Sequence, residues 1–206
     1  MSNPENCRAA EPKHFTMASL QALFCAATLL LVVAHAWTAM AASTTLENAC
    51  ESYAAGDRGS YDYCVWKLRR ENNGSAAADA RGLAAIAARA GRATAKAARE
   101  RIAALRANET ETASRRDALA ACDAEYAAAA RRLGHAARAA ARREGGDLRR
   151  AQALLEEATG ANARCDAAFA VAGAGQQSPL DGSVRGLDDE VGLAIALLPS
   201  SPPTKA

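Results

Sequence analysis

The sequence predicts an all-α protein: an up-and-down antiparallel four-helix bundle, preceded by an N-terminal helical hairpin and fastened by two disulfides. Composition points there first. Alanine fills 57 of the 206 positions and aromatic residues only 4%, so the side chains are small, helices can approach closely, and the β-branched and aromatic supply for a strand-rich core is short. Periodicity points there second, because apolar residues recur at intervals of three and four in four successive segments. Cysteine usage is the third observation. The length suits one ordinary domain. A net charge of +2 and a pI near 8.3 fall short of the value above about 9 that marks a nucleic-acid-binding domain.

The elements follow in chain order. Ala22 to Ala34 is an apolar run of 13 residues, followed by Ala39-Met40-Ala41 with small residues where a signal peptidase reads. The run covers roughly 20 Å at about 1.5 Å per residue, less than a hydrocarbon layer of about 30 Å. Residues 1–41 are therefore expected to be a signal peptide that is removed, leaving no membrane contact. Met17 offers a second start that would give a more conventional leader. Cleavage removes Cys7 and Cys25 and leaves an even four, Cys50, Cys64, Cys122 and Cys165, as suits an oxidising compartment. The sequons at Asn73 and Asn108 agree with export and fall in expected turns.

Residues 42–74 read as a helical hairpin punctuated by Gly56, Gly59 and the Asn72-Asn73-Gly74 run. Residues 75–200 read as the bundle. Its first stripe is Leu83, Ile86, Ala90, Thr94, Ala98, Ile102 and Leu105. Its second runs from Leu119 through Cys122, Tyr126 and Leu133 to Ala140, with Ser114 and Asp117 spaced as a capping box. Gly145-Gly146 breaks it. A third stripe, from Leu148 through Leu155, Cys165 and Phe169 to Ala172, contains Gly160, which costs about 1 kcal/mol against alanine within a helix. The fourth is Val184 to Leu198, with Ser178-Pro179 as its start and Pro199 as its stop. Residues 201–206 are expected to be a disordered tail. Short connections make successive helices neighbours.

Four cysteines allow three pairings. Helices two and three turn about Gly145, which lies 23 residues after Cys122 and 20 before Cys165. An antiparallel hairpin folded there offsets the two by only about 4.5 Å along the axis, on stripes that face inward. Cys122–Cys165 is the pairing this favours, and it leaves Cys50–Cys64 as a local clasp.

Leu46, Cys50, Tyr63-Cys64-Val65 and Asp79-x-Arg81-Gly82-Leu83-Ala84-x-Ile86-Ala87 together resemble the plant invertase and pectin methylesterase inhibitor family. Ala118-Leu119-x-x-Cys122-x-x-x-Tyr126 is similar to that family's second bundle helix. Ala163-x-Cys165-Asp166-x-x-Phe169 and the later Ser178-Pro179-Leu180 are similar to its third helix and following linker. The resemblance covers residues 44 to 198. It implies a secreted, noncatalytic inhibitor of the apoplast and cell wall, forming a stoichiometric complex with pectin methylesterase or with acid invertase. Invertase inhibitors of the family share a Pro-Lys-Phe motif between the second and third bundle helices. Here that stretch reads Arg143-Glu144-Gly145-Gly146-Asp147, which tilts the expectation to pectin methylesterase. From the family's architecture, helices two and three are expected to supply the contact surface, with Arg131, Arg138, Glu156 and Glu157 as candidates.

A catalytic role finds no support in the residues. His135 is the sole histidine after the leader and sits beside Arg131 and Arg138. No CxxC or second histidine gives metal-ligand spacing, and no cofactor or metal is expected. Glu156-Glu157 and Asp188-Asp189-Glu190 diverge by about 100° per residue on a helix, so they read as solvated acidic faces rather than a carboxylate pair. Charge is more informative. Arg89, Arg92, Lys96 and Arg99 form one basic stripe, and Arg131, His135, Arg138 and Arg142 form another. Residues 75–150 carry 16 basic and 9 acidic side chains, whereas 151–206 carry 3 and 7. Such lopsidedness suits steering to an acidic enzyme patch or weak retention on acidic pectin; its bland reading is solvated arginine keeping an alanine-rich bundle soluble. Two other classes compete, an intracellular Ala/Arg-rich nucleic-acid-binding protein and a structural wall or storage protein. The leader and paired cysteines oppose the first, and no nucleic-acid partner is expected.

Overall fold

The computed structural model describes residues 45–71, 79–107, 112–142, 147–172, 178–180 and 186–199, all within the unit spanning Ala41–Ala206. The leader over 1–41, the sequons at Asn73 and Asn108, the Gly145-Gly146 corner and the 201–206 tail lie outside the described residues. Among the described residues every regular element is a helix.

The hairpin consists of α1 (residues 45–54) and α2 (Arg58–Glu71). Its turn puts Ala55 and Gly56 at φ of 46° and 94°, and Asp57 then caps α2, its Oδ2 accepting the Ser60 N–H at 2.7 Å. Ser60 holds the Asp57 carboxyl below the usual carboxylate range through both its hydroxyl and its N–H. Gly56 adopts left-handed backbone freely, but for alanine that conformation costs about 1–2 kcal/mol. Ala55→Gly is therefore expected to stabilise the hairpin by about 0.5–1 kcal/mol, after the larger unfolded-state entropy of glycine is subtracted. Thermal melting of the two proteins checks it, and an unchanged or lowered midpoint contradicts it.

The bundle starts with α3 (Ala80–Arg106), whose N-cap Asp79 accepts from Gly82 N at 2.8 Å. α4 (Ala113–Ala141) is capped by Thr112, which accepts from Arg115 N at 3.3 Å. The Ser114/Asp117 box expected from sequence is thus displaced: Ser114 already lies within the first turn, because the earlier hydroxyl reaches the free N–H first. The third stripe also departs from expectation. Instead of one helix it forms α5 (Asp147–Ala158) and α6 (Ala161–Ala172), separated where Gly160 takes φ +77°. Glycine ends α5 as a left-handed C-terminal residue, and the Thr159 N–H and hydroxyl both donate to Leu155 O. α7 (Gly186–Leu197) follows and stops two residues before Pro199.

Cross-helix contacts set the direction of each neighbour. Arg99 Nε donates to Asp123 at 2.8 Å, the missing Cβ of Gly134 would stand 3.2 Å from Arg92 Nε, and Arg81 donates to Arg142 O at 2.6 Å. As the position on α3 falls, its partner on α4 rises, so the two run antiparallel. Arg132 to Glu157 and Arg164 to Glu125 give the same relation between α4 and the α5–α6 rod. Between the rods lie fully buried Leu83, Ile102, Leu119, Leu133, Phe169 and Leu193, with buried alanines filling the close approaches. Gly91 sits where α7 crosses: a Cβ there would stand 3.4 Å from Leu133 and 3.5 Å from Glu190.

Two disulfides and a buried ion pair help to fix the assembly. Cys50 is bonded to Cys64 within the hairpin, and Cys122 to Cys165 between α4 and α6; all four residues are fully buried. Lys67 of α2 is bonded through Nζ to Glu190 Oε1 of α7. Glu190 is only 2% exposed, which corrects the reading of Asp188-Asp189-Glu190 as a wholly solvated acidic face. Asp188 and Asp189 are exposed, but the third carboxylate turns inward to receive the lysine of the hairpin. Arg92 is a second correction, since it is half-buried across Gly134 rather than solvated.

Candidate partner-binding surface

Binding a protein partner requires a rigid frame and exposed side chains on it. α4 supplies the frame. Its Cys122 is stapled to α6, and one turn later the buried Tyr126 donates its hydroxyl to Asn162 Oδ1 at 2.9 Å. Asn162 passes the connection to α7, its Nδ2 donating to Asp188 Oδ2 at 2.8 Å. A hydrogen-bonded line thus joins three helices at one level. Beyond α6, the Ser178 hydroxyl lies 3.7 Å from Cys165 Sγ and accepts from Leu180 N at 3.3 Å. Leu180 is buried, so the Ser178-Pro179-Leu180 segment is seated against the bridge.

The four candidates for partner contact are all exposed, but the structure does not gather them into one patch. Arg131 and Arg138 lie three residues before and four after Gly134, on the edge of α4 that Arg92 crosses. Arg138 Nη2 is 3.1 Å from His135 Nδ1. Glu157 is reached from the other edge of α4, where Arg132 Nε donates to it at 3.0 Å. Glu156 accepts from Gln152 within α5 at 2.9 Å. Sequence reasoning did not single out Arg132 or Arg164, which tie α4 to α5 and α6, since the pairing partners are remote in the chain.

A shallow groove of about 560 Å³ runs between the start of α4 and α6, walled by Ala121, Ala167, Ala168 and Ala172 with Ser114 and Arg164 at its polar margins. Val171 stands 89% exposed beside it. The described lining is mostly alanine and holds no histidine or cysteine. Among the described residues no group of three or more His, Cys, Asp or Glu side chains is placed to hold a metal ion. No described helix is long and apolar enough to cross a membrane.

Burial raises the hydroxyl pKa of Tyr126, and Asp166 and Asp188 raise it further. Burial likewise raises Tyr63, aided first by Glu190 and then by Asp189. The folded chain therefore keeps protons that the unfolded chain begins to lose near the ordinary tyrosine value of 10.0. Stability contributed by these residues is complete below that pH and is lost as pH rises above it. The urea midpoint is expected to be lower above pH 10 than at pH 9, and to fall less for Tyr126→Phe; a pH-independent midpoint contradicts this.

Residues 44–197 match the family described as plant invertase/pectin methylesterase inhibitor. The match covers most of the chain and includes every described residue but the last two, and the protein belongs to that family. Members are noncatalytic protein inhibitors, typically extracellular, that bind a target enzyme such as pectin methylesterase or invertase. No curated protein is similar enough to be matched with it.

Proposed function

We propose that this chain is an exported inhibitor, itself without catalytic activity, that forms a stoichiometric complex with pectin methylesterase. The observation that carries the reading is the family match over residues 44–197. The stapled α4–α6 pair supports it by supplying a rigid exposed surface. Target choice rests on Arg143-Glu144-Gly145-Gly146-Asp147 standing where invertase inhibitors of the family carry Pro-Lys-Phe. Acid invertase is the second reading, since the family description names both enzymes. The leader expected over 1–41 and the even cysteine count after it support export, and Asn73 and Asn108 are the positions proposed to carry glycans.

Arg131, Arg138, Glu156 and Glu157 are the proposed contacts. Reversing the charge of each is expected to weaken the complex by about 1 kcal/mol, roughly fivefold. Co-elution of the mature, disulfide-bonded protein with each purified enzyme tests the reading. Co-elution with pectin methylesterase that is lost on reversal supports it. Affinity unchanged by all four reversals moves the interface elsewhere on the bundle. Co-elution only with invertase selects the second reading.

A further inference from the structure

The two basic stripes of the sequence are one surface in the fold. Arg92 of α3 lies across Gly134 of α4, and Arg99 is bonded to Asp123. On α3, Arg89 and Lys96 lie three residues before and four after Arg92, hence on the same face. On α4, Arg131 and Arg138 hold the same relation to Gly134. The seam between the helices therefore has cations along both sides. Arg106 continues the α3 row and borders the same groove as Lys96. Arg89, Lys96, Arg106 and Arg131 are exposed and have no ion-pair partner among the described residues. Of the adjoining acids, Asp123 is engaged by Arg99, and Glu100 lies exposed beside the row.

We propose that this α3–α4 face is a docking surface for a linear polyuronate, a polysaccharide carrying a carboxylate on successive sugars. The α3 row extends about 25 Å from Arg89 to Arg106 at 1.5 Å per residue. The cations are strung along the helix rather than gathered round one point, so they do not converge on one small anion. A long polyanion meets several of these cations together, and the gain is the multivalent one of many weak contacts on one chain. The choice of polyuronate rests on the inhibitor reading above. Each methyl ester that pectin methylesterase hydrolyses leaves a carboxylate on its polymer, so the product of the proposed target is the anion this face fits. The inhibitor is then held where de-esterification has taken place, and released where the polymer remains esterified and neutral.

Affinity electrophoresis or biosensor binding of the mature protein to polygalacturonate, with highly methyl-esterified pectin as the neutral form of the same polymer, tests the proposal. Binding to polygalacturonate is expected to fall roughly tenfold to a hundredfold between 50 and 200 mM salt, as for other polyanions released from several cations. It is expected to fall at least tenfold in the R89Q/K96Q/R106Q variant, while esterified pectin binds neither protein. Absence of binding, binding unaffected by the triple substitution, or equal binding to esterified pectin overturns the proposal. Displacement of the polyuronate by duplex DNA at equal anion concentration assigns the face to nucleic acid and also overturns it. Co-elution with the target enzyme, measured without polymer, is a separate readout. Its loss in the unsubstituted protein defeats the inhibitor reading, whereas polymer binding that fails beside intact co-elution defeats this proposal alone.

Discussion

Lys67→Met is expected to destabilise the protein by about 3 kcal/mol, the lower end of the cost of stranding a buried charge. Glu190 is 2% exposed, and its Oε2 makes no hydrogen bond among the described residues. Its other oxygen depends on Lys67. The lower end applies because the lysine side chain is 13% exposed and is also 3.5 Å from Glu71, so water reaches part of the site. For a chain of this size the loss corresponds to a fall in melting temperature on the order of 10 °C. Lys67→Met combined with Glu190→Met is expected to recover most of the loss, because neither charge is then buried. A double variant as unstable as the single one contradicts the assignment of the cost to the stranded carboxylate. The result bears on function because this pair joins the hairpin to α7.

Removing both Cys122 and Cys165 by alanine is expected to cost about 4 kcal/mol. The bridge closes 43 residues, and the chain-entropy relation gives about that value for such a loop. The hairpin bridge closes 14 residues, for which the same relation gives about 3 kcal/mol. The two losses differ in kind. Without Cys122–Cys165 the α4–α6 contact keeps its apolar packing around Leu119 and Phe169 and the polar links of Tyr126, Asn162 and Arg164 but loses its covalent tie, so the whole transition shifts. Without Cys50–Cys64 the opening is expected to concentrate in α1 and α2. Hydrogen exchange separates the outcomes. Protection of α4 and α6 unchanged by loss of Cys122–Cys165 contradicts the central place given to that bridge.

The bundle was legible because alanine-rich helices mark their buried faces by spacing, and Leu119, Cys122, Tyr126 and Leu133 repeat without interruption. The break at Gly160 was not. A glycine within a helix and a glycine ending one leave the same pattern when the next helix starts at once on the same buried side, as Ala161, Cys165 and Phe169 do. Thr112 and Ser114 likewise offer similar caps, and only the backbone decides between them. Glu190 escaped because its partner Lys67 lies on another element, and a run of three carboxylates looks solvated until an opposing cation is brought to one of them. The basic stripes were readable singly on α3 and α4. Their fusion was not, since it depends on which edges of the two helices meet.

The most direct test of the inhibitor reading is a titration of pectin methylesterase, with acid invertase in parallel, by the mature disulfide-bonded protein. Esterase activity is expected to fall in proportion to added protein and to level off at one inhibitor per active site. Full activity of both enzymes at a large excess of the protein contradicts the account.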